Sequence, residues 1–97
     1  MRAVKKSDTT YGQLEATLKS LGFRVSQEKN MLGFPYLRYE NTPEDTIILV
    51  RAGATEELLD AMDFRSAERT LENRGIADGE TFHRLLLAAA RKEPQAA

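Results

Sequence analysis

Phe34-Pro35-Tyr36-Leu37-Arg38-Tyr39-Glu40, Asn41-Thr42-Pro43-Glu44-Asp45 and Thr46-Ile47-Ile48-Leu49-Val50 follow one another in the chain and decide its fold. The two outer segments are rich in aromatic and β-branched residues, which suit a pleated surface. The middle five residues are turn formers, so the stretch reads as a β-hairpin. Side chains alternate along a strand, which puts Tyr36 and Arg38 on one face and Leu37 and Tyr39 on the other. The second strand is apolar from Ile47 to Val50 without interruption, so both of its faces call for cover. Pro35 has no N–H for a ladder and belongs at a strand start or a bulge.

Upstream, Thr10-Tyr11-Gly12-Gln13 fits a capping box, and Tyr11, Leu14, Leu18 and Leu21 recur at helical spacing. The spacing predicts a helix over 11–21, with Gly22 beyond its end. Residues 23–28 alternate apolar and polar at their start and read as a further strand. The strands over 23–28, 35–40 and 46–50 then make an antiparallel meander whose last strand is an edge. Residues 1–9 and 93–97 read as frayed ends.

Downstream, Arg51 to Ala54 is a loop and Thr55 a candidate N-cap. Leu58, Leu59 and Met62, then Phe64, Ala67 and Leu71, carry helical spacing over 56–74, as one helix or as two joined at Asp63. Asp78 caps a last helix bearing Phe82, Leu85, Leu86 and Ala89 on its apolar face. The order α-β-β-β-α-α predicts a single α+β domain, a three-stranded antiparallel sheet with helices on one face.

The 97 residues suit one domain, and 41% hydrophobic with 30% charged residues are globular values. The absence of cysteine excludes disulfides and thiolate metal sites. No apolar run approaches the roughly 20 residues that span a bilayer, and the basic start Met1-Arg2-Ala3-Val4-Lys5-Lys6 lacks the apolar segment of a signal peptide. The expectation from these features is a cytoplasmic chain with no membrane partner. No spacing for a cofactor, zinc or phosphate loop is present. The net charge of −1 lacks the basic excess typical of phosphate-binding proteins.

From Tyr11 to Leu86 the chain resembles the HicA family of bacterial toxin–antitoxin pairs. Leu21-Gly22-Phe23 is similar to the family's first helix end. Arg69-Thr70-Leu71-Glu72-Asn73-Arg74-Gly75-Ile76 with Glu80-Thr81-Phe82 looks like its second helix and extension. The resemblance implies a fold like that of double-stranded-RNA-binding domains, and RNA or an antitoxin-like protein as partner. The family's Gly-Ser-His turn, whose histidine is catalytic, is replaced by Lys29-Asn30-Met31-Leu32-Gly33, with Leu32 about where the histidine would stand. No catalytic residue carries over, so the resemblance implies a non-catalytic member. A ribonuclease with a substituted centre is a further reading.

Arg24, Lys29, Arg38, Arg65 and Arg69 are the candidates for phosphate contacts. Arg65 and Arg69 lie one helical turn apart, although each has a carboxylate three residues on, Glu68 and Glu72, to pair with instead. Tyr36 beside Arg38 offers either a stacking platform for a base or packing under the helices. Glu56, Asp60 and Asp63 are spaced to share a helical face, either a solvated one, a weak divalent-cation site, or a docking surface for a basic partner. His83, the only histidine, has no partner nominated by the sequence and reads as a helix-surface residue. Ile47, Ile48, Leu49 and Val50 form an apolar strand edge without a charge to discourage pairing. Either the last helix covers it or another chain does, as a homodimer or with an antitoxin-like partner, and Ile48→Lys is the change expected to separate such dimers. Two functions follow: an RNA-binding HicA-like domain, and a protein-interaction module using the strand edge and the acidic face.

Overall fold

The computed structural model describes residues 6–92, with side chains from 8 to 90. The elements are β1 (Lys6–Thr10), α1 (Tyr11–Ser20), β2 (Arg24–Lys29), β3 (Pro35–Asn41), β4 (Thr46–Arg51), β5 (Leu58–Asp60), α2 (Ala61–Asn73) and α3 (Gly79–Lys92). The expected α+β architecture is present: a three-stranded antiparallel sheet in the order β2-β3-β4, with three helices. A second, two-stranded sheet pairs β1 with β5.

The helix expected over 11–21 starts as the sequence dictates. Thr10 Oγ1 accepts the Gln13 N–H at 3.1 Å while Gln13 Oε1 accepts the Thr10 N–H at 2.8 Å, a reciprocal cap. Gly22 follows the helix with φ +98°, a conformation costly for any residue with a Cβ. Pro35 opens β3, where its missing N–H does no harm.

Two expectations are corrected. The segment 1–9 is not a frayed leader throughout, because Lys6–Thr10 is β1; residues 1–5, and 93–97 at the other end, lie outside the described residues. The helix expected over 56–74 begins only at Ala61, with Asp60 as N-cap accepting the Met62 N–H at 2.8 Å. The reason is that the segment before it serves α1. Helix α1 opens with unpaired N–H groups. Tyr11 N–H donates to Glu57 O at 3.0 Å and Gly12 N–H to Thr55 O at 2.9 Å. Carbonyls engaged in this way hold 55–57 outside a helix, and Leu58–Asp60 extends as β5 against β1. Gly53 lets the connection pass the start of α1, since a Cβ there would come within 2.5 Å of the Tyr11 ring. At the last helix Asp78 caps as expected, its Oδ1 accepting the Thr81 N–H at 2.8 Å.

One core joins the layers: Tyr11, Leu14 and Leu18 of α1, Tyr39, Ile48 and Val50 of the sheet, Ala67 and Leu71 of α2, and Phe82 and Leu86 of α3. The helices lie on the sheet face that carries Tyr39, Ile48 and Val50. Helix α2 lies against β4 and α3 against α1, so the last helix is not what covers β4. The Tyr39 hydroxyl is fully buried and has no hydrogen-bond partner, and burial pushes its phenol pKa up. A buried polar group left unpaired costs about 1–3 kcal/mol. Tyr39→Phe is therefore expected to stabilise the fold by about 1 kcal/mol, read as a higher urea midpoint at unchanged slope. A lower midpoint would mean that the hydroxyl is satisfied in solution.

Candidate functional site

The register of the sheet defines the site. Asn30 N–H donates to Phe34 O at 2.9 Å, and Pro35, which has no N–H, stands opposite Lys29. Lys29 and Pro35 are therefore a non-hydrogen-bonded pair, and bonded pairs alternate from there. Tyr36, Arg38 and Glu40 turn their N–H and C=O groups toward β2, while Leu37, Tyr39 and Asn41 turn theirs toward Val50, Ile48 and Thr46 of β4. It follows that Ile47, Leu49 and Arg51 direct their backbone groups to the free edge. Arg51 agrees, since its N–H donates across that edge to Asp63 Oδ2 at 3.1 Å. Among the described residues Ile47 and Leu49 have no partner there.

The expected edge residues therefore divide. Ile48 and Val50 are buried at 2% and 3% exposure, whereas Ile47 and Leu49 are exposed at 46% and 53% on the outer face. The expectation that both faces of this strand need cover is half met, because helices cover the inner face alone. Ile48 is consequently the wrong residue for separating dimers; Ile47 and Leu49 carry the accessible surface.

The outer face also holds Tyr36 and Arg38, as the alternation predicts, but both are engaged. The Tyr36 hydroxyl donates to Glu28 Oε1 at 3.1 Å, and this hydrogen bond raises the phenol pKa. Arg38 Nη1 meets Glu40 Oε1 at 2.8 Å. An open groove of about 550 Å³ runs beside the edge, with Met31, Tyr36, Leu49 and Val50 as its apolar lining and Lys29, Arg51 and Asp63 as polar groups. Beyond it projects the β2–β3 turn, where Met31, Leu32 and Phe34 are 102%, 81% and 63% exposed. This turn is ordered: Asn30 Oδ1 accepts the N–H groups of Leu32 at 2.9 Å and Phe34 at 3.0 Å.

The five candidate phosphate contacts are not brought together. Arg24 and Arg38 lie on the outer sheet face and Lys29 at the end of β2, whereas Arg65 and Arg69 lie exposed in the helix layer. The anticipated pairs of Arg65 with Glu68 and Arg69 with Glu72 do not form among the described residues. Glu68 Oε2 instead sits 3.1 Å from His83 Nε2, and Glu72 Oε2 accepts the Gly79 N–H at 3.1 Å. His83 is exposed as expected, with its ring edge-on to Phe64 at 5.5 Å. The acidic helical face is overturned: Glu56 lies in the turn before β5, Asp60 is the N-cap of α2, and Asp63 is drawn to the Arg51 N–H. No group of three metal-ligating side chains occurs among the described residues. No described helix is long and apolar enough to cross a membrane.

Fold and site together define an α+β domain built on a three-stranded antiparallel sheet whose β4 edge is apolar and, among the described residues, open. Comparison with family models, curated proteins and solved structures gave no match.

Proposed function

We propose that this chain is a protein-interaction module whose site is the free edge of β4 with the outer face beside it. One observation carries the reading. Ile47 and Leu49 turn N–H and C=O groups that have no partner among the described residues outward from a strand whose outer side chains are apolar and half exposed. Such an edge is a template for an added strand: main-chain hydrogen bonds supply affinity and alternate side chains supply selectivity. The groove along Met31, Tyr36 and Leu49 gives an incoming side chain a seat, and the apolar turn at Met31, Leu32 and Phe34 extends the contact surface.

The test is selection of displayed extended peptides on the wild-type chain, with counter-selection on Leu49→Pro. Leu49 N–H faces away from β3, so proline there removes an edge donor and leaves the β3 ladder whole. Peptides that bind wild type and lose at least tenfold on Leu49→Pro are expected. Binders that fail to distinguish the two, or none at all, overturn the edge as the site.

A second reading rests on Arg65 and Arg69, whose guanidinium groups have no described partner and flank a shallow depression with Ser66 and Asn73. With the HicA resemblance, they support RNA binding through phosphates, or an antitoxin-like partner. Anisotropy with structured RNA at low and physiological salt separates this from the edge. Phosphate binding falls steeply with salt, whereas an apolar edge contact hardly responds. In a ribonuclease with a substituted centre, the turn would contribute Leu32, which holds no proton, so the base would have to come from elsewhere.

A further inference from the structure

We propose that the strand received by the β4 edge is β4 of a second copy, antiparallel about a two-fold axis through Ile48, with Ile47 opposite Leu49 of the second copy. The inference rests on the edge reading above and names its occupant. Facing residues in an antiparallel pair share a side of the sheet, so a two-fold axis normal to the sheet must pass through a residue position. Three registers use the edge. Centred on Leu49, Ile47 would face Arg51 of the other copy, whose N–H Asp63 already holds. Centred on Ile47, Leu49 would face Asp45, whose N–H donates to Thr42 O at 3.0 Å.

Centred on Ile48, Ile47 and Leu49 face each other twice, and the edge N–H and C=O groups of both residues find partners. Each such pair exchanges both of its hydrogen bonds, about four in all. The same register sets the four half-exposed side chains, Ile47 and Leu49 of both copies, together on the outer face. It also sets Arg51 opposite Asp45 of the other copy at both ends; the Arg51 side chain is 74% exposed and only loosely held by its own Asp60, at 3.9 Å, so opposite charges face each other. No lysine, proline or bulge interrupts Thr46 to Val50 to discourage pairing, and a net charge of −1 leaves little repulsion between copies. Contact over one strand edge is small and belongs with weak, concentration-dependent association.

Sedimentation from low micromolar to millimolar chain tests the proposal. A reversible dimer is expected, its dissociation constant raised at least tenfold by Leu49→Pro with an unchanged circular dichroism spectrum. If the proline variant does not fold, Ile47→Lys, which charges the same edge at an exposed position, serves in its place. The chain has no cysteine, so engineered ones report the register. Facing bonded residues lie about 5.5 Å apart at Cα, within disulfide reach. A mixture of Ile47→Cys and Leu49→Cys chains should cross-link on oxidation, whereas either alone should not. Self-linking of Leu49→Cys or of Ile47→Cys overturns the stated register. A dimer indifferent to Leu49→Pro and Ile47→Lys, or a monomer at every concentration, overturns the second copy. If that monomer selects peptides that Leu49→Pro rejects, the edge reading stands and only its occupant has changed.

Discussion

Ile48→Lys unfolds the domain. Ile48 is 2% exposed, faces Tyr39 across β3 and belongs to the core that joins the sheet to the helices. A lysine there either drives its ammonium into an apolar interior without a carboxylate partner or tears β4 from α2 to reach water. Buried unpaired charge belongs with the largest single-residue losses, about 4–5 kcal/mol or more. A small domain holds only about 5–15 kcal/mol in total, so urea denaturation should find little or no folded baseline. The neighbouring Ile47→Lys, at a half-exposed position, should stay within roughly 1 kcal/mol of wild type and keep the native spectrum. Because a strand alternates faces at every residue, this pair of variants tests the register itself. A folded Ile48→Lys beside an unfolded Ile47→Lys would mean that β4 is slipped by one residue and the free-edge assignment with it.

The parts of this fold that rest on periodicity were legible in the sequence. The capping box at Thr10 and Gln13, the turn at Asn41 to Asp45 and the alternation of β3 each have a local physical cause, so neighbouring residues reveal them. The β1–β5 pair had none. Lys6-Ser7-Asp8-Thr9-Thr10 contains no apolar residue, and Leu58-Leu59-Asp60 reads equally well as a helix start. That pair exists because the first N–H groups of α1 take carbonyls from 55–57, a contact some forty-five residues away in sequence. The site was legible to the same extent. An uncharged, apolar edge strand could be recognised, but not which of its residues face outward. That depends on hairpin register, which here follows from Pro35 and the Asn30–Phe34 hydrogen bond. The acidic face and the helix over 56–74 share one cause of error: helical spacing in the sequence runs through residues 55–60, which form a turn and a strand.

The second large effect is expected on the helical side of the core. Phe82 of α3 is fully buried, its ring 5.5 Å from that of Phe64 on α2 and tilted 41° to it. Truncating a buried phenylalanine to alanine removes its transfer free energy and leaves a cavity, at about 3–5 kcal/mol. Leu87, next to the buried Leu86 but 65% exposed, serves as the control, and Leu87→Ala should change stability by no more than about 0.5 kcal/mol. Phe82 shares one core with Leu71, Tyr39 and Ile48, so the loss should be global. Amide exchange should accelerate in α1, α2 and the sheet by the same free energy as in α3. Acceleration confined to α3 would mean that this helix opens as a separate unit, held to α1 by contacts such as the Gln13 Nε2 donation to Leu86 O at 3.3 Å. The same variant separates stability from association. Phe82 sits on α3, whose main neighbours are α1 and α2 and not β4, so Phe82→Ala should lower the folded fraction while each folded molecule keeps its affinity for an added strand. Leu49→Pro should do the reverse, with a native spectrum and a lost edge. If Phe82→Ala at low temperature, fully folded, nonetheless lost association, the edge would depend on how α3 supports α2, and α2 would in turn be setting the position of β4.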